Sequence, residues 1–401
     1  MTGSDEAEAR PPHLSLIGLF VRFLRFGARA FGGPVAQIAM IRQELVEEER
    51  WIDGARFNRL LAVMQALPGP EAHELGVHMG IRARGRLGGL LAGLGFMLPG
   101  LILMLMAAWA YSVWAERVSL LSAFFAGVQA TVLAVIVRAV HRIGEHILTA
   151  ASLWIIAFLA AAATAAGGAF WIVLIAAGLA QVAVVARRWA LAVGVLLLAA
   201  GLLWLTRVPV SVADIGEPVT ATATATLLGL FLAGLKGGLL TFGGAYTAIP
   251  FVRQDTVGQG LATDQQFLDG VGLANALPAP LVIFATFVGW MAEGLLGALM
   301  ITAGMFLPAF AFSMIFYERL EAIVENLRLQ TFLAGVAAAV VGIIAVTMVD
   351  LGRGAAQTTA SPAVSLGLFL IALAVVYLWK SRFNALVAVA LGAAGGGMLL
   401  A

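Results

Sequence analysis

Phe31-Gly32-Gly33 recurs as Phe242-Gly243-Gly244, and the polar triplet Arg42-Gln43-Glu44 recurs at the same spacing as Arg253-Gln254-Asp255. Further along, Ala66-Leu67-Pro68-Gly69-Pro70 is matched by Ala276-Leu277-Pro278-Ala279-Pro280. Gly88, Leu98-Pro99 and Ala126-Gly127-Val128 find partners in Gly297, Leu307-Pro308 and Ala334-Gly335-Val336. The offset is almost constant, which is the mark of an internal duplication. The repeated elements are themselves helix-breaking. Adjacent glycines bend or interrupt a helix and bare its amides, and Pro-Gly-Pro cannot continue a regular helix.

Around these motifs the chain is apolar. Of its 401 residues, 61% are hydrophobic and 11% charged. A soluble domain carries roughly 25% charged residues, so lipid must solvate much of this surface. Ala150–Ala166 and Ala190–Leu205 contain no charge. Alternating ten-residue strands of a membrane barrel are missing, which leaves helices as the spanning structure. The apolar segments lie roughly at 14–31, 57–80, 86–113, 119–140, 148–166, 168–186, 189–205, 223–242, 264–290, 293–316, 328–349, 363–379 and 382–400. The expected fold is therefore an all-α membrane protein of about 13 transmembrane helices, with broken or re-entrant helices at the Phe-Gly-Gly and Pro-Gly-Pro motifs. Six spans per copy plus the extra one at 189–205 would invert the second copy. Inverted repeats with a midplane substrate site characterise secondary transporters.

The expected organisation is a cytoplasmic tail over 1–13, a first repeat over 14–186, a linking span and loop over 187–222, and a second repeat over 223–401. Arginines cluster in the loops that this count places inside, for example Arg82, Arg84, Arg86, Arg138, Arg142, Arg187 and Arg188. The positive-inside rule then predicts an inner-membrane protein with its N-terminus in the cytoplasm and its C-terminus outside. The segment 42–59 mixes Arg42, Arg50, Arg56 and Arg59 with Glu44, Glu47, Glu48, Glu49 and Asp53, and reads as amphipathic and interfacial. The first apolar run contains Arg22, Arg25 and Arg29, unlike a cleaved signal peptide, and is expected to be retained. The excess of Arg reflects topology and is no argument for nucleic-acid binding.

Arg22, Arg25 and Arg29 share one helical face. Lys236 stands where Arg25 does, at the same distance before Phe-Gly-Gly. Cations placed equivalently in two inverted halves suggest a pseudo-symmetric anion site. For Arg22 and Arg29, near the span ends, snorkelling to headgroups fits equally well. Broken helices at Phe31-Gly32-Gly33 and Phe242-Gly243-Gly244 would present amides and a positive dipole end to a tetrahedral oxyanion; close packing of small residues is the competing account. Pro68, Gly69 and Pro70, with Pro278 and Pro280, would act as hinges or half-helix starts. Glu71 and Glu74 follow at once, either as helix caps or as proton-carrying carboxylates. Leu281 replaces Glu71 in the second copy, so any relay is expected in the first half. Asn275, polar but non-titrating, joins the candidate substrate-binding set. The sequence has no cysteine, and its five histidines do not form a metal spacing. No nucleotide-binding or hydrolase motif is placed where it could work. No metal, cofactor or catalytic residue is expected, and the protein reads as a transporter driven by gradients or by a separate subunit, and not as an enzyme.

The stretch Phe31-Gly32-Gly33-Pro34 through Gln37-Ile38-Ala39, then Glu44-Leu45-Val46, Trp51-Ile52 and Leu67-Pro68-Gly69-Pro70-Glu71-Ala72, resembles the chromate ion transporter family. So do Thr241-Phe242-Gly243-Gly244-Ala245-Tyr246 and Pro278-Ala279-Pro280-Leu281. The resemblance runs from about residue 14 to the C-terminus. It implies a long, two-domain member that exports chromate across the inner membrane on the proton-motive force. Sulfate is implied as the mimic and alternative substrate. It also implies that Arg42, Gln43 and Arg253 belong to the motif positions. Lipid contact and a possible homodimer complete the expected partners.

Overall fold

The computed structural model describes residues 11–66, 69–114, 119–205, 226–242, 244–315, 317–318, 326–358, 361–381 and 383–400. Pro68 and Gly243, two of the candidate site residues, lie outside the described residues. Among the described residues all regular structure is helical. In the first half, α1 is Leu16–Ala28, α2 Gly33–Arg42 (continuing through a π-helical turn, Gln43–Glu48) and α3 Gly54–Ala66. These are followed by α4 Glu71–Trp114, α5 Ser119–Ile147, α6 Ala151–Ala165, α7 Phe170–Val185 and α8 Trp189–Leu205. In the second half, α9 is Leu227–Leu239, α10 Ile249–Thr256, α11 Asp264–Ala276 and α12 Phe284–Ile315. The chain ends with α13 Leu327–Thr358, α14 Pro362–Leu378 and α15 Asn384–Leu399.

The duplication read from sequence reappears in local structure. Ser15 caps α1 by accepting from Gly18 N–H at 3.0 Å, and Thr226 caps α9 by accepting from Gly229 N–H at 3.0 Å. The chain then breaks in both copies, between Ala28 and Gly33 and between Leu239 and Ala245. It breaks again before α4 and before α12, where Pro70 and Pro280 stand next to the break. α4 is a hairpin. Arg84 leaves helical geometry and Gly85 takes φ 64°, so the arm 71–83 folds back on the arm 86–114. α12 does the same at Glu293 and Gly294, with φ 58° at the glycine. Glycine tolerates that left-handed geometry where other residues pay for it. The first turn falls between the expected spans 57–80 and 86–113, and the second falls on the first two residues of the expected span 293–316.

Close packing follows the same symmetry. α1 crosses the long arm of α4 with Gly27 against the Phe96 carbonyl, and α9 crosses that of α12 with Gly238 against the Met305 carbonyl. A Cβ at either glycine would collide with backbone. α4 packs directly on α12, joining the halves. The halves also exchange partners. α6 and α7 lie on α13 of the second half, while α14 and α15 lie on α5 of the first. Gly127 of α5 abuts Gly392 and Gly396 of α15, and its counterpart Gly335 of α13 abuts Ala177 and Gln181 of α7. Small residues let membrane helices approach this closely.

Among the described residues, four helices are long and apolar enough to cross a membrane, and six more apolar helices are shorter. Trp154, Phe158, Trp171, Leu197, Trp204 and Leu370 are exposed on α6, α7, α8 and α14. An apolar exterior of that kind suits lipid, and the chain is a multi-pass membrane protein. The buried aromatics Phe23, Phe26, Trp51, Phe57 and Phe96 form the core of the first hairpin and its amphipathic flank. Phe267, Phe284, Phe287 and Met305 fill the second.

Candidate anion site at the crossed breaks

Four interrupted helices leave backbone groups without helical partners. The fold satisfies several of them across the halves. Gly69 N–H, in the Pro-Gly-Pro break of the first half, donates to the Thr241 carbonyl at 2.9 Å, just before Phe242 in the second. Reciprocally, Ala279 in the second proline break is held by the first half: Gln37 Nε2 donates to its carbonyl at 2.9 Å and to the Ala30 carbonyl at 2.9 Å. Ala30 and Thr241 are equivalent positions, as are Gly69 and Ala279. Each Phe-Gly-Gly element therefore meets the proline break of the opposite copy. Gly100 of α4 packs against Ala279 as well.

Beside this crossing stand two carboxylates. Glu71 and Glu74 occupy the first turn of α4, 6% and 1% exposed. Glu74 rests against Gly69, where a Cβ would strike its Oε1, and neither of its oxygens has a hydrogen-bond partner among the described residues. Gly69 holds φ 148°, a second reason for glycine there. Next to them His73 Nε2 bonds the Gly93 carbonyl at 3.1 Å, and its ring packs edge-on to Phe306 and Phe310.

The cations divide. Arg22 pairs with Glu49 and stacks over Trp51 and Phe26, while Arg29 pairs with Glu44 at 2.5 Å. Neither expectation for these two residues, headgroup snorkelling or anion binding, includes this pairing with the 44–49 turn. Arg25 is exposed and has no carboxylate partner among the described residues. Its counterpart Lys236 is tied to Asp255 at 2.7 Å and lies 4.0 Å from the Phe170 ring centre. Arg253 binds Asp264 through two bonds of 2.7 and 2.9 Å. Arg42 is exposed, 3.4 Å from Glu47, and Gln43 donates to Glu48 at 3.1 Å. Asp53 accepts Arg56 N–H at 2.8 Å, and that bond holds its carboxyl below the ordinary range.

Amides of the glycine breaks also divide. Phe31 N–H is spent on the Arg29 carbonyl at 2.8 Å, and Phe242 N–H on Thr247 Oγ1 at 2.9 Å. Gly32 and Gly33, at φ 91° and 76°, begin α2, and their N–H groups meet no acceptor among the described residues. Gly244 stands at φ 142° ahead of a 3-10 turn. Phe31 is half-buried near Phe383, whereas Phe242 is buried and lines an apolar recess with Phe170 and Phe332. Asn275 Oδ1 accepts from Tyr246 at 2.7 Å. Pro278 and Pro280 flank the Ala279 carbonyl that Gln37 holds. The first copy thus presents the open cation, Arg25, and the second copy a paired one, Lys236.

Two features escaped the sequence reading. Gln37 is 1% exposed and bridges the halves, although its neighbour motif was recognised. Asp269 is a buried carboxylate in the second half, bonded by Tyr111 and Gln129. A single acid inside an apolar run was the available signal.

A family model described as "Chromate transporter" matches residues 17–182 and 228–398. A "Chromate transport protein" of Pseudomonas aeruginosa is 56% identical over 97% of this chain and 94% of its own length. A "Probable chromate transport protein" of Synechococcus elongatus is 31% identical over 88% of each chain. A "Chromate transport protein" of Cupriavidus metallidurans is 30% identical over 85% of this chain and 84% of its own. No solved structure matches.

Proposed function

The chain belongs to the chromate transporter family, a family of membrane transporters and not of enzymes, and on that premise we propose that it exports chromate across the inner membrane, driven by the proton-motive force. The substrate follows from the relatives, whose names specify chromate; none of those names favours sulfate. One observation carries the mechanism: two helix breaks from opposite copies cross at Gly69 and Thr241, beside the carboxylate of Glu74, which has no hydrogen-bond partner among the described residues.

In this reading Arg25 attracts the dianion, and the α2 amides at Gly32 and Gly33 replace part of its hydration shell. Lys236 joins once it is released from Asp255. Phe31, Phe242, Gly243, Gly244, Arg42, Gln43, Arg253 and Asn275 shape the two approaches to the crossing. Pro68, Gly69, Pro70, Pro278 and Pro280 are the hinge points. Glu74, with Glu71 beside it, takes the coupling proton. The thirteen-span topology, the opposite orientation of the repeats 14–186 and 223–401, a cytoplasmic N-terminus, an outside C-terminus and a homodimeric state belong to the same proposal.

The test is chromate uptake into everted membrane vesicles, with and without a proton-motive force and with excess sulfate. Energy-dependent accumulation that sulfate barely inhibits is expected. Accumulation indifferent to the gradient would remove the coupling, and sulfate moving as well as chromate would remove the assigned selectivity.

A further inference from the structure

α11 carries one acidic residue beyond its first turn, Asp269, and it is 1% exposed. Its two oxygens accept from two neutral donors: Tyr111 Oη at 2.8 Å and Gln129 Nε2 at 2.9 Å. Both donors come from the first half, Tyr111 from the long arm of α4 and Gln129 from α5. The Tyr111 ring is fixed edge-on between Phe125 and Phe287, with centroids 4.9 and 5.0 Å away.

Charged groups on the elements packed against α11 are engaged elsewhere or lie outside. Arg253 binds Asp264 at the helix start, Asp350 and Arg353 of α13 pair with each other at 3.7 Å, and Glu293 of α12 is exposed at its hairpin turn. On α5, Arg138 lies over the Tyr377 ring and His141 bonds the Tyr377 hydroxyl and faces Glu145. On α4, Glu71, His73, Glu74 and His78 all stand on the short arm, opposite in the hairpin to the arm that carries Tyr111. α15 has no ionisable residue. No ion pair reaches Asp269 among the described residues.

We propose that Asp269 is a proton-carrying carboxylate of the second half, linked through Tyr111 and Gln129 to the first. The proposal rests on the transport reading and deepens it by giving the second half its own proton site. A carboxylate enclosed among helices without a cation is costly to retain and usually functional in a membrane protein. The three-group cluster also holds both protonation states. A proton taken up on Oδ2 forms an O–H bond there, the Tyr111 hydroxyl turns from donor to acceptor, and Gln129 continues to donate to Oδ1. The direction of the bond between halves reverses while the link persists. α11 leads straight into the Pro278-Ala279-Pro280 break, so that reversal lies next to the crossing held by Gln37.

The test uses the purified full-length protein in liposomes with a trapped pH dye. Infrared difference spectra across a pH titration need no chromate. The wild type should show a titrating carboxylic C=O band that Asp269→Asn lacks, Asp269→Glu restores and Tyr111→Phe displaces. A titrating spectrum unchanged by Asp269→Asn would overturn the proposal. With chromate present, the proton flux per chromate should be lost in Asp269→Asn; a ratio equal to wild type would also overturn it. If the wild type moves no chromate, the transport reading fails instead, and the infrared arm still decides whether Asp269 takes up a proton.

Discussion

At the scale of single residues, Gly69 and Glu74 form one unit. Gly69→Ala places a methyl on the Glu74 carboxylate and demands a left-handed backbone. It should cost about 1–3 kcal/mol, read as a lower thermal midpoint in detergent, and chromate accumulation should fall with it. Glu74→Gln keeps the shape and removes the titrating group. Gradient-driven accumulation in everted vesicles should then be lost while the protein still purifies as a folded species. Full accumulation by the glutamine variant would return Glu74 to a capping role. The two equivalent cations should respond differently. Arg25→Ala removes an exposed side chain and should abolish transport with stability within about 0.5 kcal/mol of wild type. Lys236→Ala also strands Asp255, whose side chain is 19% exposed, and should lower stability by about 1–3 kcal/mol. Adding Asp255→Ala should recover much of that loss without restoring transport, a double-mutant comparison readable by thermal melts.

Elements carry the part of the fold that sequence makes legible. Pro-Gly-Pro cannot continue a regular helix, and Phe-Gly-Gly stands apart from glycine pairs that stay helical, such as Gly88-Gly89 and Gly237-Gly238, because it recurs with its neighbourhood, so the duplication locates the breaks. The face shared by Arg22, Arg25 and Arg29 was equally visible, but its ion pairs were not. Glu44 and Glu49 reach those arginines across the break between α1 and α2, from the π-helical continuation of α2, and no local pattern encodes that return. The hairpin turns are a stronger case. Gly85 and Gly294 are two glycines among 46, and their positive φ, shared with six other described glycines, is a property of the backbone that the residue type does not reveal. Replacing either with Ala should cost about 1–2 kcal/mol and loosen the contact between hairpin arms. Limited proteolysis at the turn would report it, and an unchanged cleavage rate would count against a strained turn.

On the scale of the whole molecule, the exchange of α6–α7 for α14–α15 was hidden from sequence. Apolar helices lined with Ala and Gly are interchangeable in composition, so nothing in α15 names α5 as its partner. The exchange predicts that neither half is self-sufficient. Fragments ending and beginning between α8 and α9 should each be degraded or aggregate when expressed alone, and should copurify as one folded particle when expressed together. Recovery of a monodisperse first half by itself would argue that the interlock is dispensable. Gly127→Leu, which pushes α15 off α5, should weaken copurification of the fragments more than Gly194→Leu, which meets open space. The same interlock imposes an order on biogenesis. When the ribosome has delivered the first half to the bilayer, α5 still lacks α14 and α15, and α6 and α7 lack α13. Acyl chains must stand in for these absent helices until the last segment is synthesised, and completion of the molecule is an event of lipid displacement at the end of translation.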